Sequence, residues 1–319
     1  MKRLCFLVIC MSIIMGCSTS TSSTKALVDY VDPNIGTAHC RWFFYTPAAI
    51  PFGMAKLAPS TDAHLGNPGG WQAVGYDFRH TSIEGFANFH EFQVGGVVFA
   101  PTVGELQTVP GELENPDGGY RSRFDKKDEV AAPGYYSVLL KDYGVKAELT
   151  AMKRVGFHRY TYPKTELANL IFDIGNKQGE SGEVKDAEVQ YFEDGRVEGY
   201  VITSPVYVNI YQKGADVRMY FSAVLNKKPV QVGTFVKDVV NPGKHQEKGP
   251  GAGLYMTFST EEQEAVEVKV GLSYTSIENA RFNRETEAAD VTFDQAKKNA
   301  TDVWNESLSR IYVEGGKET

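Results

Sequence analysis

The sequence predicts a mainly β protein: a large antiparallel β-sandwich (a supersandwich) over residues 28–275, followed by a helical linker over 276–319. Three observations lead there. Segments rich in β-branched and aromatic residues follow one another without a helical period between them. The sequences that join them carry turn chemistry, among them "KDYG", "FEDG" and "NPGKHQEKGPGAG". Near Tyr274 the apolar spacing changes from twos to threes and fours.

The N-terminus comes first. "MKRLCFLVICMSIIMGC" has a basic start at Lys2 and Arg3 and then an apolar run from Leu4 to Met15, too short to span a bilayer as a stable helix. Residues 1–16 therefore read as a signal peptide. Its end, "IMGC", resembles the bacterial lipobox, which implies cleavage before Cys17 and lipidation of that cysteine. Residues 17–27, "CSTSTSSTKAL", form a polar tether. The expected product is an exported, membrane-anchored lipoprotein, in the periplasm or at the cell surface. Losing Lys2 and Arg3 moves the formal charge from -7 to -9. Without a basic stripe, the chain lacks the surface a nucleic-acid partner would need.

Cysteine usage agrees with export. Cys5 and Cys10 leave with the signal and Cys17 would carry lipid, so Cys40 has no partner for an intrachain disulfide. CxxC, HExxH and the twelve-residue calcium loop are absent from the sequence, and no metal ligands are assigned.

The stretch "GGWQAVGYDFRHTSIEGFANFHEFQVGG", residues 69–96, breaks strand alternation. It mixes Trp71, Tyr76, Phe78, Phe86, Phe89 and Phe92 with polar residues between glycine pairs, as the wall of a sugar or cofactor site would. Trp71, between Gly70 and Gln72, suits a stacking platform for the C–H face of a sugar. His90 is a contact candidate, and Glu91 beside it invites a general-acid reading that no second carboxylate supports by spacing. His39, in "GTAHCRW", is a further candidate, while His158 in "VGFHRY" reads as structural.

The β segments continue as "YYSVLL" (135–140), "VKAELTAM" (145–152), "VGFHRYTY" (155–162), "LANLIFDI" (167–174), "VEGYVI" (197–202), "VYVNIY" (206–211), "VRMYFSAVL" (217–225), "PVQVGTFV" (229–236), "LYMTFS" (254–259) and "AVEVKVGLSY" (265–274). No glycine-rich phosphate loop leads from a strand into a helix, which counts against a nucleotide-binding fold. Beyond them lie two helical periods. The second opens on Thr292 with Gln295 in capping-box register and carries Phe293, Ala296, Ala300, Val303, Trp304, Leu308 and Ile311 on one face.

"VDPNIGT", "PAAIPFGMAKLAPST", "GWQAVGYDF", "TSIEGFANFH", "PGYYSVLLKDYGVKAELTAMKRVGFHRYTYP", "SYTSIENARFN" and "WNESLSRIYVEGG" together resemble the N-terminal region of glycoside hydrolase family 92, the calcium-dependent exo-α-mannosidases. The match runs in order from Val28 to Gly316. It implies a sandwich and helical linker that precede an (α/α)6 barrel expected to lie outside this chain, with both catalytic carboxylates and most calcium ligands in that barrel. It implies no catalytic residue and no calcium site here, but substrate contacts from Ile35, Gly36 and Thr37 ("IGT"), Trp71, Tyr76 and His90. After His90 the family's leucine-serine-glycine is replaced by Glu91, Phe92 and Gln93. The expected function is the substrate-wall part of an α-1,2-mannosidase acting on mannose-containing glycans, inactive alone, with a separately encoded barrel as a candidate partner. The alternatives are a lipid-anchored carbohydrate-binding module and an inactive remnant.

Overall fold

A computed structural model of the chain describes residues 25–38, 45–61, 75–90, 95–176, 182–313 and 315, apart from the side chains of 206 and 207. Two large antiparallel sheets face each other. The first runs Ala48–Ala49, Lys56–Ser60, Gly85–Ala87, Val98–Val103, Thr165–Asp173, Ala252–Thr260, Gln231–Val236, Val239–Pro242. The second runs Gln246–Lys248, Glu183–Tyr191, Arg196–Ser204, Val217–Leu225, Glu264–Ser273, Val155–Tyr162, Val145–Ala151, Tyr135–Leu140, Val130–Ala132. A small ribbon pairs Ser82–Ile83 with Ser122–Arg123. The expected antiparallel sandwich is therefore the fold.

The core lies between the sheets. Leu57, Phe86, Phe99, Leu170, Phe172, Leu254 and Met256 of the first sheet meet Tyr136, Leu149, Tyr160, Val201, Phe221 and Val268 of the second. Each such side chain withdrawn from water contributes about 1.5–3 kcal/mol before chain entropy is set against it.

Strand Val155–Tyr162 shows how one sequence serves two interfaces. Side chains alternate across a sheet, so Tyr160 and Tyr162 enter the inter-sheet core while Val155 and Phe157 join Tyr135, Ala288, Phe293 and Ala296 on the other side. That second cluster is closed by the helices α2, Ile277–Ala288, and α3, Phe293–Leu308. Ser276 caps α2 by accepting from the Asn279 N–H at 3.1 Å. Thr292 and Gln295 form the expected capping box of α3. The helices sit close. A Cβ on Gly271 would lie 2.1 Å from the Ala280 carbonyl oxygen of α2, and one on Gly134 would lie 2.7 Å from the Ala300 Cβ of α3. Trp304 donates its indole N–H to the Ala49 carbonyl at 2.7 Å, and Asn305 accepts from the Val28 N–H at 3.1 Å.

One expected strand is a helix. "VYVNIY" is rich in β-branched and aromatic residues, as a strand would be, yet Val206–Tyr211 is a turn and a half of α-helix, α1, opened by Pro205. Its Asn209 side chain donates to Ser204 Oγ (2.8 Å) and to the carbonyls of Pro205 (3.0 Å) and Ala215 (3.2 Å), and accepts from the Gly214 N–H (3.0 Å). These local bonds outweigh a β-propensity worth only tenths of a kcal/mol per residue, up to about 1 kcal/mol.

Candidate functional site

The first site element is the turn Val31–Thr37. Asp32 accepts from the Asn34 N–H at 2.9 Å, the Asn34 carbonyl accepts from the Thr37 N–H (3.1 Å) and hydroxyl (2.8 Å), and Gly36 takes the left-handed φ of 83° that glycine supplies at no steric cost. This holds Ile35 outward, 69% exposed, and turns Thr37 inward. The Thr37 carbonyl accepts from the Phe78 N–H at 3.2 Å, so the "IGT" turn is fastened to the "GYDF" segment.

That segment is pinned by Thr61. The Asp77 N–H donates to Thr61 Oγ1 at 2.9 Å, and His80 Nδ1 lies 3.0 Å from the Thr61 carbonyl. Asp77 accepts Arg79 at both carboxylate oxygens (2.9 and 2.6 Å), and the Arg79 guanidinium and backbone N–H hold its carboxyl below the usual range against the opposing effect of burial.

Tyr76 sits behind this surface, buried, its ring stacked on Tyr45 with centroids 3.9 Å apart. Its hydroxyl donates to Glu129 at 2.9 Å and accepts from Lys126 Nζ at 2.6 Å, while Tyr136 also donates to Glu129 at 2.8 Å. Burial, with Tyr45 and Glu129 alongside, raises the Tyr76 pKa far above the ordinary tyrosine value, so its hydroxyl stays protonated. Lys126 lies over the rings of Tyr76, Phe78 and Phe124 at 4.7, 4.7 and 4.4 Å, a cation held in an aromatic box. Burial pulls its pKa down, with Glu129 opposing.

His90 is buried too. Its N–H donates to the Lys56 carbonyl at 2.9 Å, and burial lowers its ring pKa to about 4, with a backbone hydrogen bond at Tyr45 opposing. Thr37, Tyr76 and His90 are thus linked through Phe78 and Tyr45 at one corner of the sandwich, but as supports. Among the described residues, Val31, Ile35 and Phe78 (41% exposed) are apolar side chains this corner shows to solvent. Phe86 and Phe89, expected in the wall, are fully buried core residues. Cys17, His39, Cys40, Trp71, Glu91, Phe92 and Gln93 lie outside the described residues.

Sequence reasoning missed Phe52. In the turn Ile50–Gly53, closed by a 3.0 Å bond from the Gly53 N–H to the Ile50 carbonyl, Phe52 has φ 63° and is 92% exposed. Pro51 before it suits the second position of a type II turn, but the third normally takes glycine. A bulky ring both strained and fully solvated is the kind of outlier that accompanies function. "PFG" was the available signal, since glycine stands one place too late to relieve the strain. Glu129 and Lys126 were also missed, because only folding brings them to Tyr76.

Among the described residues no group of three or more His, Cys, Asp or Glu side chains is placed to hold a metal ion.

Residues 30–273 match the family model described as "Glycosyl hydrolase family 92 N-terminal domain". Among solved structures, the family GH92 alpha-mannosidase BT3965 from Bacteroides thetaiotaomicron is similar with a TM-score of 0.81 and 28% identity, over 92% of this chain and 40% of that one. Its complex with mannoimidazole gives 0.80 and 29%, over 90% and 37%. The inverting mannosidase BT2199 from the same organism shares the fold, with a TM-score of 0.73 and 22% identity over 92% and 38%. The chain thus spans about 40% of the length of these enzymes. Among curated proteins the chain has no matching relative.

Proposed function

The chain belongs to glycosyl hydrolase family 92 through its N-terminal domain, and on that footing we propose that its sandwich forms one wall of the mannose pocket of an exo-α-mannosidase acting on α-1,2-linked, mannose-containing glycans. The observation that carries this is the likeness, at 28–29% identity over nine-tenths of the chain, to a mannosidase solved with mannoimidazole. In this reading Ile35, Gly36 and Trp71 touch sugar. Thr37, Tyr76 and His90 hold that surface from behind, because their polar groups are turned to protein.

Inverting hydrolysis needs one carboxylic acid for the leaving oxygen and one carboxylate to activate water on the opposite face, with room for the water between them. We assign both to the remainder of the enzyme's length, supplied in the same or a separate polypeptide, along with the ligands of the calcium the family resemblance implies. The wall's own contribution is orientation and exclusion of water from one sugar face. Ile311, Tyr312 and Val313, about 80% exposed directly after α3, are apolar surface suited to meet that remainder. Localisation follows from "IMGC": we propose a lipid anchor on Cys17 that holds the protein at a membrane on the exported side. No helix among the described residues is long and apolar enough to cross one.

The test is mannose release from α-1,2-mannobiose. The 319-residue chain alone is expected to give none, with or without calcium. Joined to or mixed with the remaining length of such an enzyme it should turn over, and Trp71→Ala should then lower kcat/KM at least about tenfold by removing the stacking platform. Turnover by this chain alone would overturn the reading.

A further inference from the structure

Sharing no lining residue with that corner, a pocket of about 210 Å³ opens on the outer face of the nine-stranded sheet where strands Val217–Leu225 and Glu264–Ser273 pass beneath the C-terminal end of α2. Its polar lining is Asn226, Glu267, Lys269 and Arg284.

Asn226 Oδ1 and one oxygen of Glu267 are already engaged there. Asn226 Oδ1 accepts from the Glu267 N–H at 2.8 Å and its Nδ2 donates to the Ala265 carbonyl at 3.2 Å. Glu267 accepts Arg159 Nε at 2.7 Å. Lys269 Nζ covers the last carbonyls of α2, donating to Ala288 at 3.0 Å and Ala289 at 3.1 Å, so the negative end of the helix is masked by a cation that keeps one more N–H.

Arg284 is the unsettled member. Its side chain is only 10% exposed, yet its Nε reaches Ser222 Oγ at a long 3.4 Å, and its one carboxylate partner is Glu285 at 3.2 Å, itself 58% exposed. Nη1 donates to nothing among the described residues. The nearby Glu198 is occupied by Arg281 (2.7 and 2.6 Å), Arg196 (3.0 Å) and Ser222 (2.7 Å). A guanidinium has five N–H donors, and leaving a charged group desolvated and half paired is costly. The pocket therefore offers surplus donors from two cations where Asn226 Oδ1 and one Glu267 oxygen are already engaged, in a space of several water volumes at about 30 Å³ each.

We propose that this pocket binds an oxyanion of the phosphate or sulfate class, held between Arg284 and Lys269. The source can be the free ion or a sugar that carries the group.

The experiment uses the full chain at constant ionic strength set with chloride. Inorganic phosphate and mannose 6-phosphate are titrated in separate arms and followed by ³¹P line broadening. Saturable binding in the millimolar range is expected, and Ala289→Glu, an exposed position on the pocket rim, should weaken it at least about tenfold without changing the melting temperature. Lys269→Met should weaken it similarly. Tighter binding of mannose 6-phosphate than of phosphate identifies a sugar-borne group, and the reverse order identifies the free ion. Broadening that does not saturate, or that Ala289→Glu and Lys269→Met leave unchanged, overturns the proposal.

Discussion

His158 should make the fold acid-labile in a way one substitution can isolate. It lies between the sheets, fully buried, with Nε2 2.8 Å from Asn88 Oδ1 and Nδ1 2.8 Å from the Tyr160 hydroxyl. Asn88 Nδ2 donates to the Val97 carbonyl at 2.6 Å, so its Oδ1 can only accept. Nε2 therefore carries the proton, Tyr160 donates to Nδ1, and the network is complete with a neutral ring. Burial lowers the His158 pKa to about 3 and that of His90 to about 4, against an ordinary 6.5. For a depressed folded-state pKa, the stability is fully present above 6.5 and is lost as pH falls toward the folded value, because the unfolded chain takes up the proton first. One pKa unit is worth about 1.4 kcal/mol, so from pH 6.5 to 5 each histidine withdraws about 2 kcal/mol. Asp173 works the other way. Burial raises its pKa from 3.8 to about 6, so its contribution grows as pH falls through 6, returning about 1.4 kcal/mol by pH 5. The net expectation is a loss of about 2.5 kcal/mol between pH 7 and 5. His158→Leu should cost about 2–6 kcal/mol at pH 7, because Asn88 Oδ1 and the Tyr160 hydroxyl lose their partner. It should also remove about 2 kcal/mol of the pH dependence. Urea unfolding of both proteins at pH 7 and 5 measures this. Equal pH dependence in the two proteins would refute the argument, as would a His158 ring that titrates above pH 5 by NMR in the wild type.

Gly271→Val, whose Cβ would sit 2.1 Å from the Ala280 carbonyl, should unseat α2 and cost about 3 kcal/mol or more by urea unfolding; an unchanged midpoint would contradict the packing. Phe52→Gly should stabilise the chain by about 1 kcal/mol by relieving the left-handed turn, and, in the complete enzyme, lower activity; lost stability would mean the ring packs after all. Cys17→Ala should move the protein from the membrane to the soluble fraction, and unchanged membrane association would rule out the lipid anchor.

Much of the fold was legible because period and turn chemistry act locally. Tyr135–Leu140, Val155–Tyr162 and Val217–Leu225 begin and end where their apolar runs do. Glu183–Tyr191 escaped notice because its solvent face is charged, leaving Val184, Ala187 and Val189 as a sparse inner set across a register shift at Val184/Asp186. Lys56–Ser60 contains Pro59 and is short, so it does not read as a strand. The candidate site was harder. "IGT" could be placed as a turn, but nothing local says that Tyr76 is committed to Glu129, 53 residues away. A ring's burial depends on what folds over it, and Phe86 and Phe78 look alike in sequence.

The helices after the sheets join the beginning of the domain to its end: Trp304 bonds Ala49 and Asn305 bonds Val28, at separations of 255 and 277 residues. During synthesis from the N-terminus, the first strand and the segment before it must wait for nearly the whole domain before these partners exist. Until then Val155, Phe157 and Tyr135 face water. A nascent or truncated chain ending near residue 275 would hold its inter-sheet core yet present this apolar face to chaperones and to other chains, so the smallest fragment that behaves well should run from about Val28 through α3.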